Sequence, residues 1–366
     1  MDPRVEKLAR VLVTYSLKLK KGQTLKIVGE VAALPLIKAA FKEAVKVGAH
    51  PYTVIRVPDN EETILKLGTD AQLKHIPAHS RMEVDKIDAY LGIWGSDNTR
   101  YLSGIDPKRQ ALHRMAMKSV MQRFHKRAAA GSLSWCGTQF PTLADAQEAD
   151  MSLADYEDFV YRSGHINAAD PVKHWKKVEK EQSRLCKILN KVDRIHVRAK
   201  GTDLKLRVKG RKWINCCGTE NFPDGEIFTG PIENSAEGYI RYSFPAVYMG
   251  REVRDVRLEF KKGKVVAESA GKNLDFLKAM LNMDRGARFL GEFAIGTNYE
   301  IKRFSRNILF DEKIGGTCHL AVGNSIPESG GKNVSSLHWD MICDLKKGGE
   351  ITADGKVIYR NGKFTI

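Results

Sequence analysis

Two spacings of apolar residues alternate along the first 140 positions of the chain, and that alternation is the first clue to its architecture. Over residues 4–19 apolar side chains recur every three or four positions, as on an amphipathic helix. Thr24-Leu-Lys-Ile-Val-Gly29 then alternates at period two and reads as a strand. Leu34 to Val47 returns to the helical spacing, Gly48 interrupts it, and Pro51-Tyr-Thr-Val-Ile-Arg-Val57 reads as the next strand. A strand, helix and strand of this length close as a right-handed parallel unit. Further strands are expected at Ile87–Trp94 and around Leu133–Cys136, with a helix between them near Arg109–Arg127. This succession predicts a doubly wound α/β domain. Residues 141–190 read as helices, with a capping box at Ser152-Leu-Ala-Asp155 and a long charged helix from about position 172.

From Arg194 the pattern changes. Ile195–Ala199, Asp203–Val208, Tyr239–Phe244, Glu252–Phe260 and Lys264–Glu268 read as strands, several of them alternating at period two, and Lys261-Lys262-Gly263 reads as a hairpin turn between the last two. One helix, Asn273–Asn282, lies among them. The expected organisation is therefore an α/β N-terminal domain, residues 1–190, with a parallel sheet flanked by helices. A mostly antiparallel, β-rich (α+β) C-terminal domain, residues 191–366, follows it. A length of 366 residues agrees with two cores rather than one. No internal repeat and no G-x-G-x-x-G phosphate loop is present, so a dinucleotide fold has no support.

Composition narrows this picture only a little. Hydrophobic residues make up 42% and charged residues 28%, as in an ordinary folded chain. No apolar run reaches the roughly 18–20 residues that span a bilayer. The start, MDPRVEKLARVLVTY, carries acids and lacks a signal peptide's apolar core, so a cytoplasmic location is expected. The formal charge is +16, with Lys and Arg interleaved with acids, as in Lys173–Glu181. That pattern reads as a solvated surface, with nucleic-acid and membrane binding not expected. The six cysteines (136, 186, 216, 217, 318 and 343) have no C-x-x-C spacing and are expected as free thiols in small apolar cores. A thiolate ligand is the alternative at Cys318 or at Cys216-Cys217, which adjoin candidate site residues.

The candidate chemistry lies in the last third. His338-Trp339-Asp340 is an H-x-D pair, and in a strand its two polar side chains face the same way. Glu226 follows the turn former Pro-Asp-Gly; an exposed acidic turn is the plainer account of it. Glu292 is the one acid in the apolar run Arg288–Gly296, where a carboxylate is costly unless paired or bound to a cation. An outward-facing position would be its alternative. His319 follows a Gly-Gly turn on an apolar stretch, where a core histidine is the commoner case. Together the five offer two imidazoles and three carboxylates, the donor chemistry of a site for one or two divalent cations.

Long motifs bind these residues together. Asn221–Pro231 fits N-x-P-D-G-E-[VI]-F-T-x-P, Gly291–Asn298 fits G-E-x-A-x-G-x-N, and Asp311–His319 fits D-E-K-I-G-G-T-x-H. Pro327–Asn333 with His338–Asp340 fits P-E-[TS]-G-G-x-N followed by H-W-D. Gly48-Ala-His-Pro51, Phe140-Pro-Thr, Ala146-Gln-Glu-Ala and Met151–Phe159 extend the agreement into the first domain. On these motifs the chain resembles the M29 metallo-aminopeptidases, the aminopeptidase T-like and S-like enzymes, over nearly its whole length. The resemblance implies hydrolysis of N-terminal residues from peptides with a free amine. It implies a metal-bridged water between two divalent ions (zinc, cobalt or manganese). The implied ligands are Glu226, Glu292, His319, His338 and Asp340, with Glu226 or Glu292 moving the proton. A homodimer is also implied, with a cavity closed by the first domain and a second subunit.

At one position the pattern departs from the family. A tyrosine usually lies seven residues after the histidine of the third motif and steadies the tetrahedral intermediate; here that residue is Ile326. The alternative function is a mononuclear non-heme iron dioxygenase opening dihydroxypyridine-type rings, an enzyme class related to this fold. His319, His338 and Asp340 would be its two-His, one-carboxylate set. The N-F-P-D-G-E and G-E motifs, which would furnish a second metal, favour the peptidase. A basic binding protein that uses the positive field is the third reading.

Overall fold

The computed structural model describes residues 2–366, and its first element starts where the sequence supplies a cap. Asp2 accepts the amide of Arg4 through Oδ1 at 2.8 Å, Pro3 takes the first helical position, and the helix Pro3–Val11 follows. It widens into a π-helical turn over Leu12–Ser16. The strand Thr24–Glu30, the helix Leu34–Lys46 and the strand His50–Arg56 then form as the spacing predicts. The first sheet is parallel throughout, in the order His50–Arg56, Thr24–Glu30, Ala89–Trp94, Ser134–Gln139 and Asn221–Phe222. Its helices include three that the sequence pattern leaves unassigned, Pro58–Leu67, Asp70–Leu73 and Ala78–Lys86. The helix expected over 109–127 divides at Met117 into Pro107–Ala116 and Lys118–Ala129.

Two compact units result. The first takes the chain up to Val172 together with Gly218–Phe222, and the second takes Lys173–Cys217 and Pro223–Ile366. The second unit is built from antiparallel sheets of eight and five strands and a two-stranded ribbon. A single apolar core joins Val197, Leu204, Ile240 and Leu258 of the larger sheet to Phe293, Ile295, Leu320 and Val322 of the smaller. The stretch expected as one strand over 252–260 is two. Asp255 turns the chain at φ +54°, so Arg251–Val253 pairs with Ala246–Tyr248 while Arg257–Lys261 pairs with Glu237–Arg241. The hairpin turn falls where expected, with Lys262 and Gly263 at φ +50° and +80° between Arg257–Lys261 and Lys264–Ser269. Among the described residues no helix is long and apolar enough to cross a membrane.

Candidate metal centre

The five-stranded sheet runs in the order His338–Asp344, Thr317–Gly323, Leu290–Gly296, Glu226–Thr229, Ile214–Cys216. Its register gathers all five candidate residues on one face. Glu292 and Asp340 both stand opposite Ala321, one from each side. His319 lies two residues before Ala321 and His338 two before Asp340, which keeps them on that face. Ala294 stands opposite His319, Gly296 opposite Glu226, and Gly323 opposite His338. On one side each polar side chain is thus faced across the sheet by alanine or glycine, which leaves space for it to bend that way, while Ile342 stands on the other side of His319 and Cys216 on the other side of Glu226. Ile227, Phe293, Ile295, Cys318, Leu320 and Trp339 take the alternate positions and belong to the apolar core.

Glu292 reaches this face through a β-bulge. Leu290 pairs with Val322 and Glu292 with Ala321, so Gly291 is an extra residue in its strand. Leu290 can then turn to the core while Glu292, two residues on, turns to the site. Only glycine fits there, because a Cβ at 291 would lie 2.1 Å from the Asn324 carbonyl oxygen. That same carbonyl accepts Nδ1–H of His338 at 2.8 Å, fixing the tautomer that leaves Nε2 for the site.

The donor atoms converge. His319 Nε2 lies 3.2 Å from Glu226 Oε2 and 3.4 Å from Glu292 Oε1. His338 Nε2 lies 3.6 Å from Glu292 Oε2 and 3.4 Å from Asp340 Oδ2. Donors at about 2.1 Å from a shared tetrahedral ion stand about 3.4 Å apart. Both ring nitrogens of His319, Oε2 of Glu226 and Oδ1 of Asp340 are buried with no hydrogen-bond partner. Orphaned polar atoms in such number are expensive in a folded interior, and a cation would satisfy His319 Nε2 and Glu226 Oε2 together. The residues present fit a divalent metal. Glu226 and Glu292 are only 5% and 4% exposed and His319 is fully buried, which excludes the exposed-turn and outward-facing accounts of the two acids.

Charge follows from this crowding. Burial pushes the Glu226 carboxyl up to about 8, against the pull of Lys313 and His319. Burial opposes the charged imidazoles, but the surrounding carboxylates override it and lift His319 to about 9 and His338 to about 10. Asp340 resists the upward push of burial because His338 stands beside it, and falls to about 2.

Three charged residues join the group without having been singled out in the sequence: Asp224, Glu312 and Lys313. Lys313 is fully buried and pairs with Glu226, Glu312 and Asp224. The signal for them was present inside the N-F-P-D-G-E and D-E-K motifs, but loop charges read as solvated. Cys318 sits on the core face. The Cys216 thiol lies with Asp224 and Glu226, and burial together with those carboxylates raises its pKa far above the thiol range.

Known proteins give the same pattern a context. The sequence matches the family described as thermophilic metalloprotease (M29) over residues 1–364. It is 28% identical to aminopeptidase 2 of Geobacillus stearothermophilus, covering 100% of this chain and 98% of that protein. Aminopeptidase T of Thermus thermophilus is 26% identical, at 99% and 96% coverage. Among solved structures, wild-type AmpT from Thermus thermophilus has a TM-score of 0.87 at 23% identity, covering 99% of each chain. A 2,5-dihydroxypyridine dioxygenase from Pseudomonas putida KT2440 has a TM-score of 0.60 at 13% identity, covering 99% of this chain and 96% of that one, a likeness of fold.

Proposed function

The chain belongs to the thermophilic metalloprotease (M29) family, and from that membership we propose that it is an aminopeptidase releasing N-terminal residues from peptides at a centre of two divalent ions. The observation that carries the reading is the sharing of Glu292 between two donor triads, Glu226–Glu292–His319 and Glu292–His338–Asp340. Glu226 and His319 would hold one ion, His338 and Asp340 the other, and the two oxygens of Glu292 one each. Zinc, cobalt or manganese bound there would lower the pKa of a bridging water, polarise the scissile carbonyl and take up the substrate's free amine.

The chain's own groups do the rest. Glu226 or Glu292 would take the proton of such a water and pass it to the leaving amine. Asn324 keeps His338 in the tautomer that presents Nε2. Ala294, Ala321 and Gly323 keep the floor of the site low. Ile326, on the loop after the His319 strand, supplies no hydroxyl for the tetrahedral intermediate. A missing oxyanion donor typically costs about 10²–10³ in rate, so turnover is expected to be slow for the family.

The test is metal per chain after saturation with zinc or cobalt and desalting, alongside release of leucine from leucyl peptides. Two ions, one of them lost in Glu226→Ala, with metal-dependent release are expected. One ion per chain, with oxygen uptake by the ferrous protein and a dihydroxypyridine, would replace this reading with the ring-opening one.

A further inference from the structure

An ammonium group buried in a protein interior is tolerated only where opposite charge surrounds it. Lys313 is 0% exposed, and its Nζ lies 3.3 Å from Glu226 Oε1 and 3.9 Å from Asp224 Oδ1 while also pairing with Glu312. The backbone delivers it deliberately. Asn298 donates its amide to the Lys313 carbonyl at 3.0 Å, accepts the Gly315 amide at 2.9 Å, and donates Nδ2–H to the Asp224 carbonyl at 2.8 Å. One asparagine therefore ties the loop carrying the ammonium to the turn carrying two of its carboxylates.

Four clusters of cation-ligating side chains lie in this region. Two of them share Glu292 and make up the centre already described. The other two are Cys216–Asp224–Glu226 and Glu312–His319–Asp340, and Lys313 grips a carboxylate in each. The charges tell the same story. With cations in place of the protons, Asp224, Glu226, Glu292, Glu312 and Asp340 would carry five formal negative charges, Lys313 one positive and the two imidazoles none, and the remaining four match two divalent ions.

We propose that Lys313 is a positioning residue that stands in for a third cation: its ammonium occupies the carboxylates beside the centre, keeps Glu226 aimed at the pair, and so limits the site to two ions. Resting on the two-ion reading, the inference concerns what sets the number rather than what the ions do. Without the lysine, Asp224, Glu226 and Glu312 would be left with an uncompensated charge, and a further divalent ion is the available remedy.

The experiment compares zinc per chain, by elemental analysis after gel filtration from excess zinc, in the wild type, Lys313→Met and the double variant Lys313→Met/Glu312→Gln. Lys313→Met is expected to retain one ion more than the wild type. The double variant removes one charge of each sign, so it should return to the wild-type number. Losing Glu312 together with the lysine also makes it the safer fold, because one buried carboxylate fewer is left without its partner. Should Lys313→Met fail to fold, Lys313→Gln takes its place: one ion more than the wild type supports the proposal, and the wild-type number in a folded sample overturns it, as does any number other than the wild-type one in the double variant. A folded Lys313→Met with the wild-type number and unchanged zinc affinity also overturns it. The wild-type number itself tests the two-ion reading, whereas the difference between variants tests the lysine, so the two can fail separately.

Discussion

At the scale of single residues, burial decides which charges matter. Asp311 is 2% exposed, and its Oδ1 accepts the amide and hydroxyl of Ser305 at 2.7 and 2.8 Å. Burial still pushes its carboxyl up to about 7, with Glu312 pushing the same way and the hydrogen bonds from Ser305 and the Arg306 amide pulling it down. The folded value lies above the unfolded one, near 3.9, so the folded state keeps this proton longer. The stability it contributes is full below about pH 4 and is lost as pH rises through about 7. Asp311→Asn keeps the acceptor oxygen and has no proton to lose. Relative to the wild type it should gain stability between pH 5 and pH 8, by roughly 2–3 kcal/mol, read from urea midpoints at the two values. Glu226, Glu292, His319, His338 and Asp340 stand out as candidates in the sequence because long motifs connect them, whereas each alone has a plainer explanation. Lys313 does not stand out there because a lysine between an acid and Ile-Gly-Gly looks like a loop charge, and it takes its full burial among Asp224, Glu226 and Glu312 to say otherwise.

At the scale of elements, alternation predicts strands well and their partners poorly. Leu290–Gly296 carries Glu292 alone, whereas in Thr317–Gly323 and His338–Asp344 the polar residues Thr317, His319, His338, Asp340 and Asp344 all fall on one alternation, which is visible in the sequence. The bulge at Gly291 is not, because a bulge is a property of two strands and no single stretch encodes it. Nor does the run over 252–260 announce its division, since the positive φ of Asp255 is a local choice that tertiary pairing enforces. The bulge also has a measurable consequence. A methyl group at 291 would drive Asn324 away, and Asn324 orients His338. On the two-ion reading, Gly291→Ala should therefore lose the ion that His338 and Asp340 would hold before the one that Glu226 and His319 would hold. Metal titration that finds a single weakened site, at a stability cost of about 1–3 kcal/mol, would bear this out; two sites of unchanged affinity would refute it.

At the scale of the whole molecule, the sequence conveys the parallel α/β first part and the antiparallel β-rich second part, because the two differ in period. It does not convey the return of Gly218–Phe222 to the first sheet, where Asn221 pairs with Gly137 across more than 80 positions. Two residues carry no period, and parallel pairing leaves no turn to mark it. A fragment ending at Val172 would leave the edge at Gly137–Thr138 uncovered, an open template for another chain. Such a fragment is expected to self-associate at concentrations where the full chain does not, by light scattering; a monodisperse fragment would count against this.

The same return fixes an order of events during synthesis. A ribosome releases the first four strands of the parallel sheet long before the fifth, and by then Arg194–Ala199 and Thr202–Arg207 of the second unit have already emerged. The first unit can be finished only after the second has begun, so the nascent chain passes through a stage in which neither is complete and one sheet edge waits. Protection of that edge by a chaperone or by pausing near residue 222 would then shape the yield of folded protein more than the stability of either unit does.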